Sequence, residues 1–137
     1  MYATVQTIEE MLNELAPMET AESYDNVGAL VGRRNAPVSR ILVALDCTLD
    51  AVREAREIGA ELIVTHHPLL FHARKNLLEE DAEGKILCEL VRGNLSLVSA
   101  HTNLDQTELS GSACCARLIT SGSSRRKRSC SFMSLSP

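Results

Sequence analysis

The sequence contains few aromatic residues: no tryptophan, two tyrosines and two phenylalanines among 137 residues. Since 45% of the residues are hydrophobic, the core must be built from aliphatic side chains, chiefly Leu, Val, Ile and Ala. No apolar run reaches the length of about 18 residues that a transmembrane helix needs. The first residues, MYATVQTIEEMLNE, carry acids and no basic segment, so they do not resemble a secretory signal. These absences, with five cysteines in no disulfide-framework spacing, predict a cytoplasmic protein without a membrane partner.

Acidic residues are missing from the last part of the chain, because all 18 lie at or before Glu108. Residues 110–137 contain nine serines and five Lys or Arg. Residues 1–109 are therefore acidic as a group, which argues against a nucleic acid partner. The basic run at 124–129 is interpreted as part of an unstructured tail; the alternative is a localisation or nucleic-acid patch.

Phosphate-binding signatures are absent too, since the sequence has neither a P-loop nor a G-x-G-x-x-G pattern. Between residues 40 and 105, buried-strand patterns instead alternate with amphipathic helices, as in βαβ units. We therefore predict an α/β fold with a mostly parallel sheet and flanking helices. The predicted helices cover 7–16, 49–58 and 84–91, and the predicted strands cover 27–32, 40–46, 62–65 and 95–100.

Local signals predict where two of these helices begin and end. Thr7 and Glu10 have the spacing of a capping box at the start of the first helix. The residues predicted to face the core from that helix are Ile8, Met11, Leu12 and Leu15. Thr48 is a suitable N-cap for the second helix, and Gly59 suits its C-terminal end.

Three consecutive strands end in polar side chains that can bind a metal or move a proton. The first is followed by Asp46, the second by His66 and His67, and the third by His101 and then Asp105. Because the carboxyl ends of parallel strands share one edge of a sheet, we expect these groups to converge there. The connection from Leu69 to Glu83 can cover that edge as a lid.

Imidazole and carboxylate groups suit Zn, Fe, Mn, Ni or Co in the divalent state. The adjacent His66 and His67 cannot easily bind one ion together, but they can serve two ions that a carboxylate such as Asp105 bridges. Two ions about 3.5–4 Å apart polarise a substrate oxygen and generate hydroxide near neutral pH. The alternative is that the histidines form polar turns. Asp46 is interpreted as a helix N-terminal residue, with a catalytic role as the alternative. Asp25 is interpreted as part of a turn, with a role in the site as the alternative.

Four motifs, in order along the chain, carry a resemblance to a known family. They are YDNVGALVG at 24–32, ALDCT at 44–48, THHPLLF at 65–71 and AHTNLD at 100–105. Together they resemble the GTP cyclohydrolase 1 type 2 homologues, a dinuclear-metal family also known as the "interacting factor three" family. The resemblance covers about residues 5–106.

The resemblance implies a toroidal homohexamer with two metal ions per subunit. Carried over by motif, His66, His67 and Asp105 are metal ligands, with Asp105 bridging, and His101 lies at the same site. The implied activity is metal-dependent hydrolysis of a nucleotide-like small molecule, without an assigned catalytic residue. The alternatives are a non-catalytic metal-binding scaffold that acts through partners, and an inactive fragment.

The chain departs from the family pattern after Asp105. The family continues with a second half that supplies an H-x-x-x-E pair to the metal site, whereas this chain has no His after His101 and no Glu after Glu108. We therefore expect residues 1–106 to form the family-like domain and residues 107–137 a disordered, aberrant Ser/Arg/Cys-rich tail. A shifted reading frame is our hypothesis, and reading the coding DNA in the other two frames tests it. The expected result is a truncated site that binds metal poorly and turns over little.

Overall fold

A five-stranded sheet forms the centre of the molecule in the computed structural model, which describes residues 2–107 and the main chain of 130–134. The strands are β1 (Ala3–Thr4), β2 (Gly28–Val31), β3 (Pro37–Val38), β4 (Arg40–Ala44), β5 (Leu62–Thr65), β6 (Ser96–Ser99) and β7 (Cys130–Ser134). The helices are α1 (Val5–Leu15), α2 (Leu49–Ile58), α3 (Ala82–Arg92) and the single turn α4 (Thr102–Asp105), with a 3₁₀ turn at Met18–Thr20.

The large sheet has the order β2-β6-β5-β4-β7, and its three central strands are parallel. The register places Ile63 of β5 between Leu42 of β4 and Leu97 of β6. β2 and β7 pair antiparallel at the two edges, and β1 pairs with β3 in a separate ribbon. The predicted α/β class with βαβ units is confirmed.

Both faces of the central strands are buried, which explains their nearly continuous apolar sequences. On one face, α2 and α3 cover a cluster that includes Leu42, Ile63 and Leu97. On the other face, α1 packs Val5 and Ile8 against the sheet. The sheet is therefore held rigidly on both sides, and its carboxyl edge can place side chains accurately.

The start of α1 corrects the sequence prediction. The N-cap is Thr4, and its hydroxyl and main chain exchange hydrogen bonds with Thr7, so Thr7 is the third helical residue and not the cap. The helix therefore begins at Val5, two residues before the predicted start, and its buried residues are Val5 and Ile8. Met11 and Leu15, predicted to face the core, are 54% and 59% exposed.

The ends of α2 follow their local signals, whereas α3 begins earlier than predicted. Thr48 caps α2 through a hydrogen bond from the Ala51 amide, and Gly59 ends it in the left-handed conformation with φ 70°. α3 begins two residues before its predicted start, because the Asp81 carboxylate accepts the Gly84 amide. None of the described helices is long and apolar enough to cross a bilayer.

Most of the predicted tail lies outside the described residues, namely 108–129 and 135–137. Within it, β7 pairs antiparallel along the full length of β4. The domain boundary at 106 and the disorder of the remaining tail stay predictions.

Candidate metal centre

The carboxyl ends of β4, β5 and β6 continue their pairing beyond the strands and bring polar side chains together. The His67 amide donates to the Leu45 carbonyl at 3.0 Å, and the Ala100 amide donates to the Thr65 carbonyl at 3.0 Å. The Thr65 hydroxyl also contacts that of Ser99 at 2.7 Å and donates to the His67 carbonyl at 3.0 Å. These bonds fix the backbone at the points where the histidine side chains begin.

Three histidines form a cluster at this edge. His66, His67 and His101 each offer one ring nitrogen, and the three nitrogens lie within 4.8 Å of one another. The ring centroids are 5.1 Å apart for His66–His67 and His66–His101, and 5.6 Å apart for His67–His101. The predicted convergence of these three residues is thus present in the structure.

Asp105, the fourth residue singled out from the sequence, lies beside the cluster. Its Oδ1 is 3.7 Å from Nε2 of His66, and its side chain is 53% exposed at the end of α4. Asp105 is not a member of the group formed by the nitrogens of His66, His67 and His101. Its role as a bridging ligand stays a prediction.

The Nδ1 atom of each clustered ring has a hydrogen-bond partner. Nδ1 of His66 donates to the main-chain oxygen of Ala100 at 2.9 Å. Since a carbonyl oxygen can only accept, the proton of neutral His66 is on Nδ1 and its Nε2 carries a lone pair. Nδ1 of His67 lies 2.6 Å from Oδ1 of Asp46, and Nδ1 of His101 lies 3.0 Å from Oδ1 of Asp25.

Asp25 joins the turn before β2 to the segment that carries His101. Its carboxylate is inaccessible to solvent and accepts hydrogen bonds from the His101 ring, from the amide and hydroxyl of Thr102, and from the Asn26 amide. Burial alone would raise the pKa of Asp25, but the bonds from Thr102, His101 and Asn26 outweigh it and lower the pKa to about 2. The interpretation of Asp25 as a self-bonded turn accounts for the bond from Asn26. The alternative of a role in the site agrees with the bonds from His101 and Thr102.

Asp46 also lies beside the cluster, as the shared edge of the strand ends predicts, although its main interpretation from the sequence is that of a helix N-terminal residue. Thr48 supplies the cap of α2, while the Asp46 carboxylate turns to the ring of His67. The available signal was its place at the end of β4, next to the strand that ends in the two histidines.

The connection after His67 lies along one side of the cluster. The Phe71 ring centroid is 6.3 Å from that of His101, and Tyr24 contacts Phe71 edge-on at 6.3 Å. The Asn26 side-chain amide donates to the Leu70 carbonyl at 2.6 Å and so ties this connection to the Asp25 turn. His72 is exposed, as expected from its place in a loop.

The donor set fits a divalent transition metal. Imidazole nitrogens are common ligands of Zn and of its neighbours in the first transition row. The second nitrogen of each ring meets a carbonyl or a carboxylate, which is the usual outer arrangement of metal-binding histidines. Three nearby carboxylates, those of Asp25, Asp46 and Asp105, make the surroundings favourable for a cation.

Residues 3–130 match the family model described as Duf34/NIF3 (NGG1p interacting factor 3). A Clostridium perfringens "GTP cyclohydrolase 1 type 2 homolog" is 42% identical over 98 residues, covering 72% of this chain and 37% of the relative. A Helicobacter pylori "GTP cyclohydrolase 1 type 2" is 44% identical over 107 residues, covering 78% of this chain and 43% of the relative. The chain therefore spans well under half the length of these curated relatives.

A solved structure of a Staphylococcus aureus hypothetical protein superposes with a TM-score of 0.79 at 35% identity, covering 87% of this chain and 39% of that one. A Bacillus cereus protein described as related to NIF3 superposes with a TM-score of 0.77 at 30% identity, covering 86% and 33%. The α/β fold of this chain is thus also found in experimental structures of longer chains.

Proposed function

Since this chain belongs to the Duf34/NIF3 family, whose model matches residues 3–130, we propose that it binds divalent metal through His66, His67 and His101, with Asp105 as a further ligand. The whole protein would act as a metal-dependent hydrolase on a nucleotide-like small molecule. The observation that carries the proposal is the approach of three histidine nitrogens within 4.8 Å at the carboxyl edge of the sheet.

Each proposed ligand has a definite support in the fold. His66 is anchored by the main chain of Ala100, and its side chain is only 16% exposed. His67 is 46% exposed and forms the open side of the cluster. Asp105 approaches His66 from α4, with its Oδ1 3.7 Å from Nε2 of His66, and would be a further ligand there.

A divalent ion at this position supplies Lewis acidity, which polarises a substrate oxygen and makes a water molecule more acidic. The chain itself contributes binding and exclusion of solvent. Phe71 lines the cluster beside His101, and the connection that carries it is held by Asn26. Exposed His67 leaves a side from which a small molecule can reach the site.

The number and identity of the ions belong to the same proposal. We propose two ions side by side, from Zn, Fe, Mn, Ni or Co, as the family resemblance implies. The three clustered nitrogens of this chain form one group of possible ligands. With three or four ligands from this chain, we expect weak binding and little turnover. We further propose a cytoplasmic homo-oligomer, a hexamer in its complete form.

Titration of the purified, metal-free chain with Co²⁺ tests the metal site, because a cobalt–imidazole complex has visible absorption bands. His101→Ala should abolish or strongly weaken binding, and His72→Ala is the matched control because His72 is exposed outside the cluster. Equal binding by both variants would contradict the site. GTP hydrolysis that a chelator abolishes would support the hydrolase.

A non-catalytic metal-binding scaffold is the second candidate. The observation that favours it is that the chain spans 37% and 43% of two curated relatives, which leaves the activity of the longer proteins open for this one. Histidine-dependent Co²⁺ binding and ring assembly by sedimentation, without turnover of GTP, would distinguish this candidate from the enzyme.

A further inference from the structure

Two carboxylates outside the proposed ligand set contact the Nδ1 atoms of clustered histidines. Asp46, at the end of β4, meets Nδ1 of His67 at 2.6 Å, and Asp25, in the turn before β2, meets Nδ1 of His101 at 3.0 Å. Neither belongs to the HH or HTNLD motif, and they come from different parts of the chain. Both nevertheless reach the same atom of their respective rings.

We propose that Asp46 and Asp25 are positioning residues, which hold His67 and His101 in the tautomer and orientation that present Nε2 to a metal ion. This inference rests on the proposed metal site and adds to it the groups that prepare two of its ligands.

The chemistry of the hydrogen bonds determines the tautomer. An ionised carboxylate can only accept, so the imidazole nitrogen facing it must carry the proton. A neutral ring with its proton on Nδ1 has its lone pair on Nε2, the form required of a ligand through that atom. His66 reaches the same state through the Ala100 carbonyl, so all three rings are prepared in the same way.

The same bonds also limit how the rings turn. His67 is 46% exposed, and an exposed imidazole without a partner would exchange among several side-chain rotamers. The bond to Asp46 removes that freedom before a metal arrives, so less entropy is lost on binding. Asp25 limits the rotation of the His101 ring in the same way, and its carboxylate is fully shielded from water.

Asp25 has a second effect, because its other oxygen accepts the amide and the hydroxyl of Thr102. Thr102 is the first residue of α4, which carries Asp105. The carboxylate therefore holds the His101 ring and the start of the helical turn that presents Asp105. One residue thus sets the relative position of two proposed ligands.

Asp46 gives the cleaner test, because its side chain is 54% exposed and its removal should not unfold the chain. Asp46→Ala should weaken Co²⁺ or Zn²⁺ binding about 10–100-fold, the usual effect of losing such a partner. Asp46→Glu should recover part of the loss. Asp50→Ala is the matched control, since Asp50 lies on the neighbouring helix, is 82% exposed and forms its ion pair with Arg53, away from the cluster.

The readout that separates positioning from simple charge attraction is the tautomer itself. In metal-free protein labelled with ¹⁵N-histidine, long-range ¹H–¹⁵N correlation should show neutral His67 with its proton on Nδ1. In Asp46→Ala, that signal should move towards the tautomer mixture of a free imidazole, while His66 and His101 stay unchanged. Asp25→Asn should have the corresponding effect on His101.

Three outcomes would overturn the inference. In the first, the Asp46→Ala variant binds metal as tightly as the unchanged chain. In the second, Asp46→Ala binds metal more weakly, but the tautomer of His67 does not change. The third is a free tautomer mixture at His67 in the unchanged chain. Failure of the unchanged chain to bind any metal would instead remove the proposed function, and the tautomer measurement in metal-free protein would still decide this inference.

Discussion

The side-chain Nδ2 of Asn103 donates a 2.8 Å hydrogen bond to the main-chain oxygen of Ala16, which lies 87 residues earlier in the chain. Its Oδ1 accepts the His101 amide at 2.9 Å. Asn103 is 1% exposed, so both bonds are made away from water. The amide therefore connects the end of α1 with the backbone that carries a clustered histidine.

Replacing Asn103 by Ala should destabilise the fold and disturb the site. The Ala16 carbonyl and the His101 amide would both lose a partner, and unsatisfied buried groups cost about 1–3 kcal/mol each. We expect urea denaturation to show a free energy of unfolding lower by about 2–4 kcal/mol. Asn35→Ala, at an exposed position, is the control and should change it by less than about 0.5 kcal/mol.

Glu61 makes the start of the sheet sensitive to acid. Its carboxylate accepts the amides of Ser39 and Arg40 at 3.0 and 2.9 Å and the Ser39 hydroxyl at 2.8 Å. Burial raises the pKa of Glu61, but these bonds outweigh it and leave the pKa below the ordinary 4.5. The stabilisation is therefore complete above pH 4.5 and is lost as the pH falls through the lower, folded-state value.

The matching experiment compares the unchanged chain with Glu61→Gln across this pH range. Gln keeps the size but has one acceptor oxygen, so at pH 7 the variant should be less stable by about 1–2 kcal/mol. The difference should shrink steadily as the pH is lowered below 4.5. A difference that is independent of pH would contradict the role of the charge.

Gly84 in the first turn of α3 is required by the backbone that passes over it. A Cβ at this position would lie 1.8 Å from the Leu78 carbonyl oxygen, and backbone cannot move aside as a flexible side chain can. Gly84→Ala should therefore lower the free energy of unfolding by about 3 kcal/mol or more, although alanine favours helices. Lys85→Ala, at the exposed neighbouring position, should be nearly neutral in the same thermal or urea unfolding assay.

Asn26 should control the order of the connection beside the cluster. Asn26→Ala removes the 2.6 Å bond to the Leu70 carbonyl, but Asn26 is exposed, so the global stability should change by less than about 1 kcal/mol. Amide hydrogen exchange at residues 69–72 should accelerate, while that of β5 stays unchanged. Equal exchange rates in the variant and the unchanged chain would show that other contacts hold this segment.

Local signals were sufficient for the central part of the fold. The β-branched run at 62–65 and the helix at 49–58 have the bounds that their sequence patterns predict, because Thr48 and Gly59 act within one turn of the helix. The predicted start of α1 is wrong, since Thr4 and not Thr7 fills the N-cap position. Thr4 also belongs to β1, whose pairing with β3 involves residues more than 30 positions away and is not visible in a local pattern.

The candidate site also has a part that local sequence patterns predict and a part that they do not. The histidines were found because parallel strands end at a common edge, which is a rule of topology and needs no side-chain detail. For Asp25 a site role is only the alternative to a turn, because its partner, His101, is 76 residues away and no periodic pattern reports such a contact. Asp46 is expected at the same edge as the histidines, but its main interpretation assigns it to the adjacent helix, because the sequence gives no orientation for a side chain.

The hydrogen-bond acceptors that hold the three histidine rings differ in whether a mutation can remove them. His66 is held by the carbonyl of Ala100, a group that every amino acid at that position would provide, so no substitution of residue 100 removes the acceptor itself. The anchors of His67 and His101 are each encoded by one aspartate codon and can disappear by a single nucleotide change. Random mutation would therefore remove the acceptors of His67 and His101 before that of His66. The hydrogen bond that orients His66 is the least sensitive of the three to substitution.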